Sequence, residues 1–525
     1  MFSAFLFYFS ALFHRIYSEK VKRSGKKEFM SVKPNCETYR YTTEICKAKS
    51  QSIVECRLSG SEISSVLAVY AQASVAESTC GDGEIKYAGK LVVSVVYEDN
   101  ERHICRAERG AEFSHRAEHE KVAASHTAAV FFSTDRVTWR REGSGLYISV
   151  IVEADCQVYG TVQEEYLVGG EGLVVKKQNV PIVKAIACSA FTQADDEFET
   201  DYVGDILMRS ENVCVTKTEQ EAGQVRVYGE IYLNLCALKE DLSLCSYERI
   251  IPFLASVPCS ECREGDGAWA RVIVTDTHLS ASADADKGKT KIVVETDLKI
   301  SATVYQKDEI EGIADAYSTT DNTELYFTAA KGEFVEKTER FTERIGGAAA
   351  LSSPMEGTDS LLCALLPQAE IEIKKGENGG EAEGVVTATL VLKDETGAAK
   401  SVILSLPFLF PIPYSECEKA EAEAVVCGLS VRQKKAGEAE ADATLKLTVK
   451  YYQKAEGKYL SEVKVLGERE QNDCAISIYL PTAGDDLWTT AKRLGREPEK
   501  LQKSNPELKF PLKGDERIFV YRQKS

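Results

Sequence analysis

The residues best suited to chemistry in this chain are few. Cys259-Ser-Glu-Cys262 is its only C-x-x-C. Structural zinc takes four ligands, and no second pair stands at ribbon or finger spacing. A redox dithiol would sit on a strand-to-helix turn, which the surrounding pattern lacks. His115 and His119 lie four apart with Glu118 between them, and His103 is close by. The H-E-x-x-H order of a zinc protease is absent, and a solvated loop accounts for these histidines better. Acid pairs such as Asp195-Asp196 and Asp485-Asp486 are expected in an acidic chain, and nothing marks either as a general acid or base. No P-loop, G-x-S-x-G or strand-linked G-x-G-x-x-G occurs. The expectation is a non-enzymatic chain with no cofactor and no metal.

Composition narrows the partners. The net charge of −18 withholds the cationic surface that nucleic-acid binding requires. Hydrophobic residues make up 44 % and charged residues 28 % of 525, as in soluble folded proteins, and the length suggests three or four domains. The sixteen cysteines are too dilute for a disulfide scaffold. Many sit within apolar alternation, as in Val213-Cys214-Val215 and Leu235-Cys236-Ala237, where a free thiol packs as a small hydrophobe. That usage suits a reducing compartment.

The elements that would carry any site repeat three times. Gly-led strands begin at Gly89, Gly229 and Gly384. Each follows an apolar run (Ile63 to Val75, Ile206 to Val215, Leu361 to Ile373) across a polar turn, which is a hairpin signature. Alternating tails follow at Leu146 to Tyr159, Lys291 to Tyr305 and Ala443 to Tyr452. Their closing tyrosines stand about 146 residues apart, a domain-sized period. Period-two alternation buries one face of each strand. Pro252 and Pro407 recur at matching positions and mark strand edges or bends.

The expected fold is therefore mainly β: three tandem antiparallel β-rich domains, sandwich or open barrel, over 36–165, 172–310 and 323–455, with a smaller module over 474–523. Linkers are expected near Gly169 to Lys177 and near Ile310 to Thr323. Residues 1–30 form an N-terminal extension. The apolar run Met1 to Phe13 is too short to span a membrane as a helix, and its positive charge follows the run instead of preceding it. It reads as a misassigned start ahead of Met30, with an apolar anchor or an export signal as alternatives.

In the last module, Leu487, Trp488, Ala491 and Leu494 share a helical face. Asp485 or Asp486 can cap that helix, and Gly495 ends it. Pro498 opens a second helix, which Asn505-Pro506 stops. With short strands at Ile476 to Leu480 and Ile518 to Tyr521, the order is βααβ. Trp488 is expected in the core of this small fold, not on a sugar-stacking surface.

Three blocks in order, Gly484 to Lys492, Asn505-Pro506-Glu507-Leu508 and Pro511 to Asp515, resemble a LysM domain. The resemblance implies a shallow groove, usually for N-acetylglucosamine glycans, formed by Gly484, Asp485, Asp486, Leu487, Asn505, Pro506, Leu508 and Leu512. Asp486 stands where that family usually has Thr or Ser, which favours a basic protein surface over an anionic wall polymer. With the three repeats, the whole chain resembles the clostridial spore-coat morphogenetic proteins that join SPOCS domains to a C-terminal LysM domain. The third repeat departs most, with Ala/Glu-rich stretches at Glu377 to Gly384 and Glu416 to Ala424. That family implies coat assembly in the mother-cell cytoplasm at the forespore surface, with the LysM domain docked on a SpoIVA-like coat ATPase. The rival is a wall-located or membrane-associated protein holding peptidoglycan. Self-association through the β repeats is left open.

Overall fold

A computed structural model describes residues 32–521 apart from 59–61, 202, 240, 285–287, 331, 357, 377–378, 413–418, 436 and 471–473. The expectations for Met1 to Phe13 and for Met30 lie outside these residues. The fold is mainly β and antiparallel throughout.

One pairing scheme occurs three times. Strands β1 (Lys33–Leu58), β2 (Ile63–Gly81), β3 (Glu84–Asp99), β4 (Ile104–Glu118), β5 (Thr127–Glu142) and β6 (Gly145–Glu171) form two sheets, ordered β1-β6-β5 and β2-β3-β4. Strands β7 (Leu173–Asp201), β8 (Asp205–Glu221), β9 (Gln224–Leu238), β10 (Leu244–Pro258), β11 (Gly267–Asp284) and β12 (Lys289–Ser318) repeat it as β7-β12-β11 and β8-β9-β10. The third set is β13 (Asp321–Ala330), β14 (Glu333–Leu351), β15 (Ser360–Gly376), β16 (Gly379–Lys393), β17 (Ala399–Ile412), β18 (Lys419–Lys435), β19 (Glu438–Lys454) and β20 (Gly457–Glu468). Here the long edge strand and the long central strand are each split, giving a β13-β20 pair and a β15-β16-β17-β14-β19-β18 sheet. A short β14–β17 pairing at Ala350 and Leu351 joins the two halves of that sheet.

Each set faces its two sheets across a dry core. In the second, Val225, Val227 and Ile231 of β9 pack with Ile292, Val294, Ile300 and Val304 of β12. The Gly-led strands have a steric cause. Gly89, Gly229 and Gly384 pair directly with Phe113, Phe253 and Phe408 of the next strand. A Cβ at any of the three would collide with that phenylalanine ring and with a backbone carbonyl on the other neighbouring strand. The ring lies over the glycine, the packing known to compensate for a glycine in a strand. Pro252 lies on β10, an edge strand of its sheet.

The expected linkers are strands instead. Residues 169–171 close β6 and 173–177 open β7, turning at Gly172 with φ +79°. β12 runs on to Ser318, and β13 starts at Asp321. The charged residues in these stretches lie on the wet face of two-stranded ribbons, as in the Lys177–Glu311 ion pair at 2.6 Å. The ribbons' inner faces share Leu167, Ile313, Ala316 and Leu460 in one cluster. Tyr41, Tyr166, Ile182, Ile310 and Tyr459 form a second, and together the ribbons make a stalk.

The three sets also meet one another. β2, β8 and β15 each bulge at the same place, Leu67, Leu207 and Leu362. The next residues, Ala68, Met208 and Cys363, pair with Val96, Cys236 and Val391. All but the partly buried Leu362 belong to a single buried cluster, and Leu362 packs against it. A second junction gathers the repeating tyrosines Tyr159, Tyr305 and Tyr452 with Trp269. Tyr159 Oη and Thr303 Oγ1 are 2.7 Å apart across the boundary between the first two sets. Lys450 Nζ from the third lies 4.2 Å from the Trp269 ring centroid.

Gly229→Ala should lower stability by about 1–3 kcal/mol, the usual cost of overpacking a filled core. Chemical denaturation read by circular dichroism checks this. Adding Phe253→Leu, which removes the opposing ring, should return part of the loss.

Candidate functional site

The C-terminal module is built from β21 (Ile476–Tyr479), α1 (Leu487–Leu494), α2 (Pro498–Ser504) and β22 (Ile518–Tyr521). The strands pair antiparallel, Ile476 with Tyr521 and Ile478 with Phe519. Asp486 caps α1, its Oδ1 accepting from the Thr489 N–H at 2.7 Å. Gly495 closes that helix in the left-handed region at φ +61°. α2 opens on Pro498, with no side-chain cap from Glu497. Ala491, Leu501, Leu508, Leu512, Ile518 and Val520 form the core.

The eight residues assigned to the groove divide into scaffold and surface. The Gly484 N–H donates to the Leu512 carbonyl at 2.7 Å, and the Leu512 N–H to the Asp485 carbonyl at 2.9 Å. These bonds bring the loop before α1 against the loop before β22. Asp485 is held by the Thr482 N–H and by Arg493 Nη1 at 2.6 Å. Asn505 is fully buried. Its Nδ2 donates to the Leu501 and Phe519 carbonyls, and its Oδ1 accepts from the Phe519 N–H at 2.8 Å. Leu508 and Leu512 are core, and Leu487 packs partly buried against it. Only Gly484, Asp486 and Pro506 are exposed. The motif thus holds the module together more than it faces a ligand.

Trp488 does not have the purely internal role expected of it. It packs against the module core, but its indole Nε1 donates to Asp315 Oδ2 at 2.8 Å, and its ring meets Tyr317 edge-on at 5.2 Å. Both partners lie on β12. Lys492 Nζ reaches the other oxygen of Asp315 at 2.5 Å, and Tyr317 Oη donates to the Arg496 carbonyl at 2.6 Å. The Arg469 guanidinium donates to the Lys492 carbonyl at the end of α1. Trp488 therefore fastens the module to the stalk. Burial alone would raise the Asp315 carboxyl, but the bonds from Lys492 and Trp488 outweigh it and hold the group below the usual carboxylate range.

The opposite face of the module is open. The outward side chains of its strand pair, Ile476, Ile478, Phe519 and Tyr521, are all exposed, and Leu480 beside them is 68 % exposed. The signal was present in the sequence as two short strands, Ile476-Ser477-Ile478-Tyr479 and Ile518-Phe519-Val520-Tyr521, with more large apolar side chains than one buried face can use.

The other candidates recede. Cys259 and Cys262 are buried in a tight turn, the Cys262 N–H donating to the Cys259 carbonyl and the Cys259 N–H to the Gly223 carbonyl. His119 and Val122 make the same turn against Gly83 in the first set, so the C-x-x-C is a packing feature of that turn. His115 is on strand β4, exposed, and His119 is in the turn that follows, so only the latter is in a loop. Among the described residues no three His, Cys, Asp or Glu side chains converge to hold a metal. No helix among them is long and apolar enough to cross a membrane. No family model, curated protein or solved structure matches the chain.

Asp315→Ala should loosen the module, at a cost of about 1–3 kcal/mol for the lost charge-assisted bonds. Hydrogen exchange in α1 and proteolysis near 469–475 should both accelerate. In the parent chain the Asp315 contribution is complete above about pH 4. It fades as the pH falls through the lowered value, so acid should reproduce the variant's behaviour.

Proposed function

We propose that this chain is a non-enzymatic adaptor in assembly of the spore envelope, built of three SPOCS-like β domains and a C-terminal LysM domain that docks a coat morphogenetic protein. The observation that carries the reading is the open apolar face of Ile476, Ile478, Phe519 and Tyr521. A face of this kind suits a protein surface, since a glycan needs several hydrogen-bonding groups and Tyr521 alone of these four side chains carries one. The groove residues that a glycan would require are largely spent on internal bonds, which weighs the same way. The stalk contacts of Trp488 and Lys492 hold this face away from the β domains. The buried thiols suit a cytoplasmic setting at the forespore surface.

The partner on this reading is a SpoIVA-like coat ATPase. Purified full-length chain should capture that ATPase and leave peptidoglycan fragments behind. Ile478→Asp should weaken capture at least about thirtyfold, as expected when a central apolar anchor is lost. Retention of peptidoglycan without the ATPase would replace the adaptor with a wall-binding protein.

A further inference from the structure

The strand pair of the C-terminal module has two outer edges. Asn505 closes one of them, and nothing among the described residues closes the other. Phe519 of β22 gives its N–H to Asn505 Oδ1 at 2.8 Å, and its carbonyl accepts from Asn505 Nδ2 at 2.9 Å. Both backbone groups of Phe519 therefore point away from β21, toward the buried Asn505. Phe519 stands directly opposite Ile478. In an antiparallel pair, opposed residues alternate between exchanging both backbone bonds and exchanging none. Phe519 and Ile478 exchange none, so the N–H and carbonyl of Ile478 also point outward, on the far side of β21. Ile476, two residues earlier, has the same orientation. Among the described residues no backbone group outside the strand pair bonds to either of them.

This open edge borders the exposed apolar face. Ile476 and Ile478 belong to both, and Leu480 follows them. A strand edge with unpaired N–H and carbonyl groups is a template for another strand. A helix or a globular surface could cover the apolar side chains but would leave those backbone groups unpaired. An extended segment pairs with them and lays its alternate side chains beside Ile476 and Ile478.

Charge narrows the source of that segment. The whole chain has 64 Lys and Arg against 82 Asp and Glu, but from residue 474 onward the count is ten against seven. Arg517, next to Ile518 at one end of the face, is exposed. A second copy of the module would bring like charge to like, whereas an acidic segment meets a complementary surface. We propose that the partner adds an extended segment to the free edge of β21, apolar at alternate positions and acidic overall. This rests on the docking role of the face and specifies what the face takes.

Hydrogen exchange of the full-length chain, with and without the coat ATPase, is the test. On capture, a peptide covering 474–480 should gain protection at about two amides, those of Ile476 and Ile478. Ile478→Pro removes one outward N–H and leaves the β21–β22 bonds in place, because proline is tolerated where an edge N–H faces solvent. It should weaken capture at least about tenfold more than Ile478→Ala does, as for a main-chain bond lost from an interface. Arg517→Glu should weaken capture about threefold, as for one exposed ion pair turned to repulsion. Circular dichroism checks that each variant folds. Unchanged exchange over 474–480 in a complex that forms would overturn the proposal and leave the docking role standing, and this readout needs no variant. Equal losses in Ile478→Pro and Ile478→Ala would do the same, and full affinity in Arg517→Glu would overturn the acidic character of the segment. A dimer of the free chain that Ile478→Pro dissolves would give the edge to a second copy instead. If the parent chain captures no ATPase, the docking role itself falls, and this inference with it.

Discussion

The structure depends on apolar surface that no single repeat can bury. Leu67, Leu207 and Leu362 each project from a bulge, where the extra residue bends its strand and turns a side chain out of its own sandwich. Alone, each would leave a large aliphatic group in water. Together, with Val96, Cys236 and Val391, they close a core that belongs to all three sets. Burying such a side chain is worth about 1.5–3 kcal/mol, so the junction accounts for a sizeable share of a marginal folding free energy. The stalk follows the same logic. A two-stranded ribbon is unstable in water, and three of them become a core only by packing together.

This constraint explains where the C-terminal module sits. β12 runs past its own sandwich into the stalk and presents Asp315 and Tyr317 near its end. Trp488 and Lys492 share Asp315, and Tyr317 bonds to the module's backbone. One face of the module is thereby consumed in attachment, and the outer face of the β21–β22 pair remains exposed.

Much of this was legible locally and little of it globally. The Gly-led strands, the hairpins and the alternating tails were readable because period-two burial and turn chemistry are local. The helices α1 and α2 were readable through Asp486, Gly495 and Pro498, whose cap geometry depends on neighbours in sequence. The stalk was misread as linkers, because a ribbon with charged outer positions such as Lys177 and Glu311 resembles solvated loop until its partner ribbons are known. The junctions were invisible for the same reason. Nothing in Leu207 alone says that it meets Leu67. The groove residues were identified as a motif, but sequence cannot separate Asn505, buried with three bonds, from Pro506, exposed beside it.

Hydrogen exchange after Leu207→Asp reports most directly on whether the three repeats share one core. A charge placed at the junction should reduce amide protection in β2 and β3 of the first set and in β15 and β16 of the third, as well as in β8 and β9. Loss of protection confined to β8 and β9 would contradict the shared core and leave three independent sandwiches joined only by the chain.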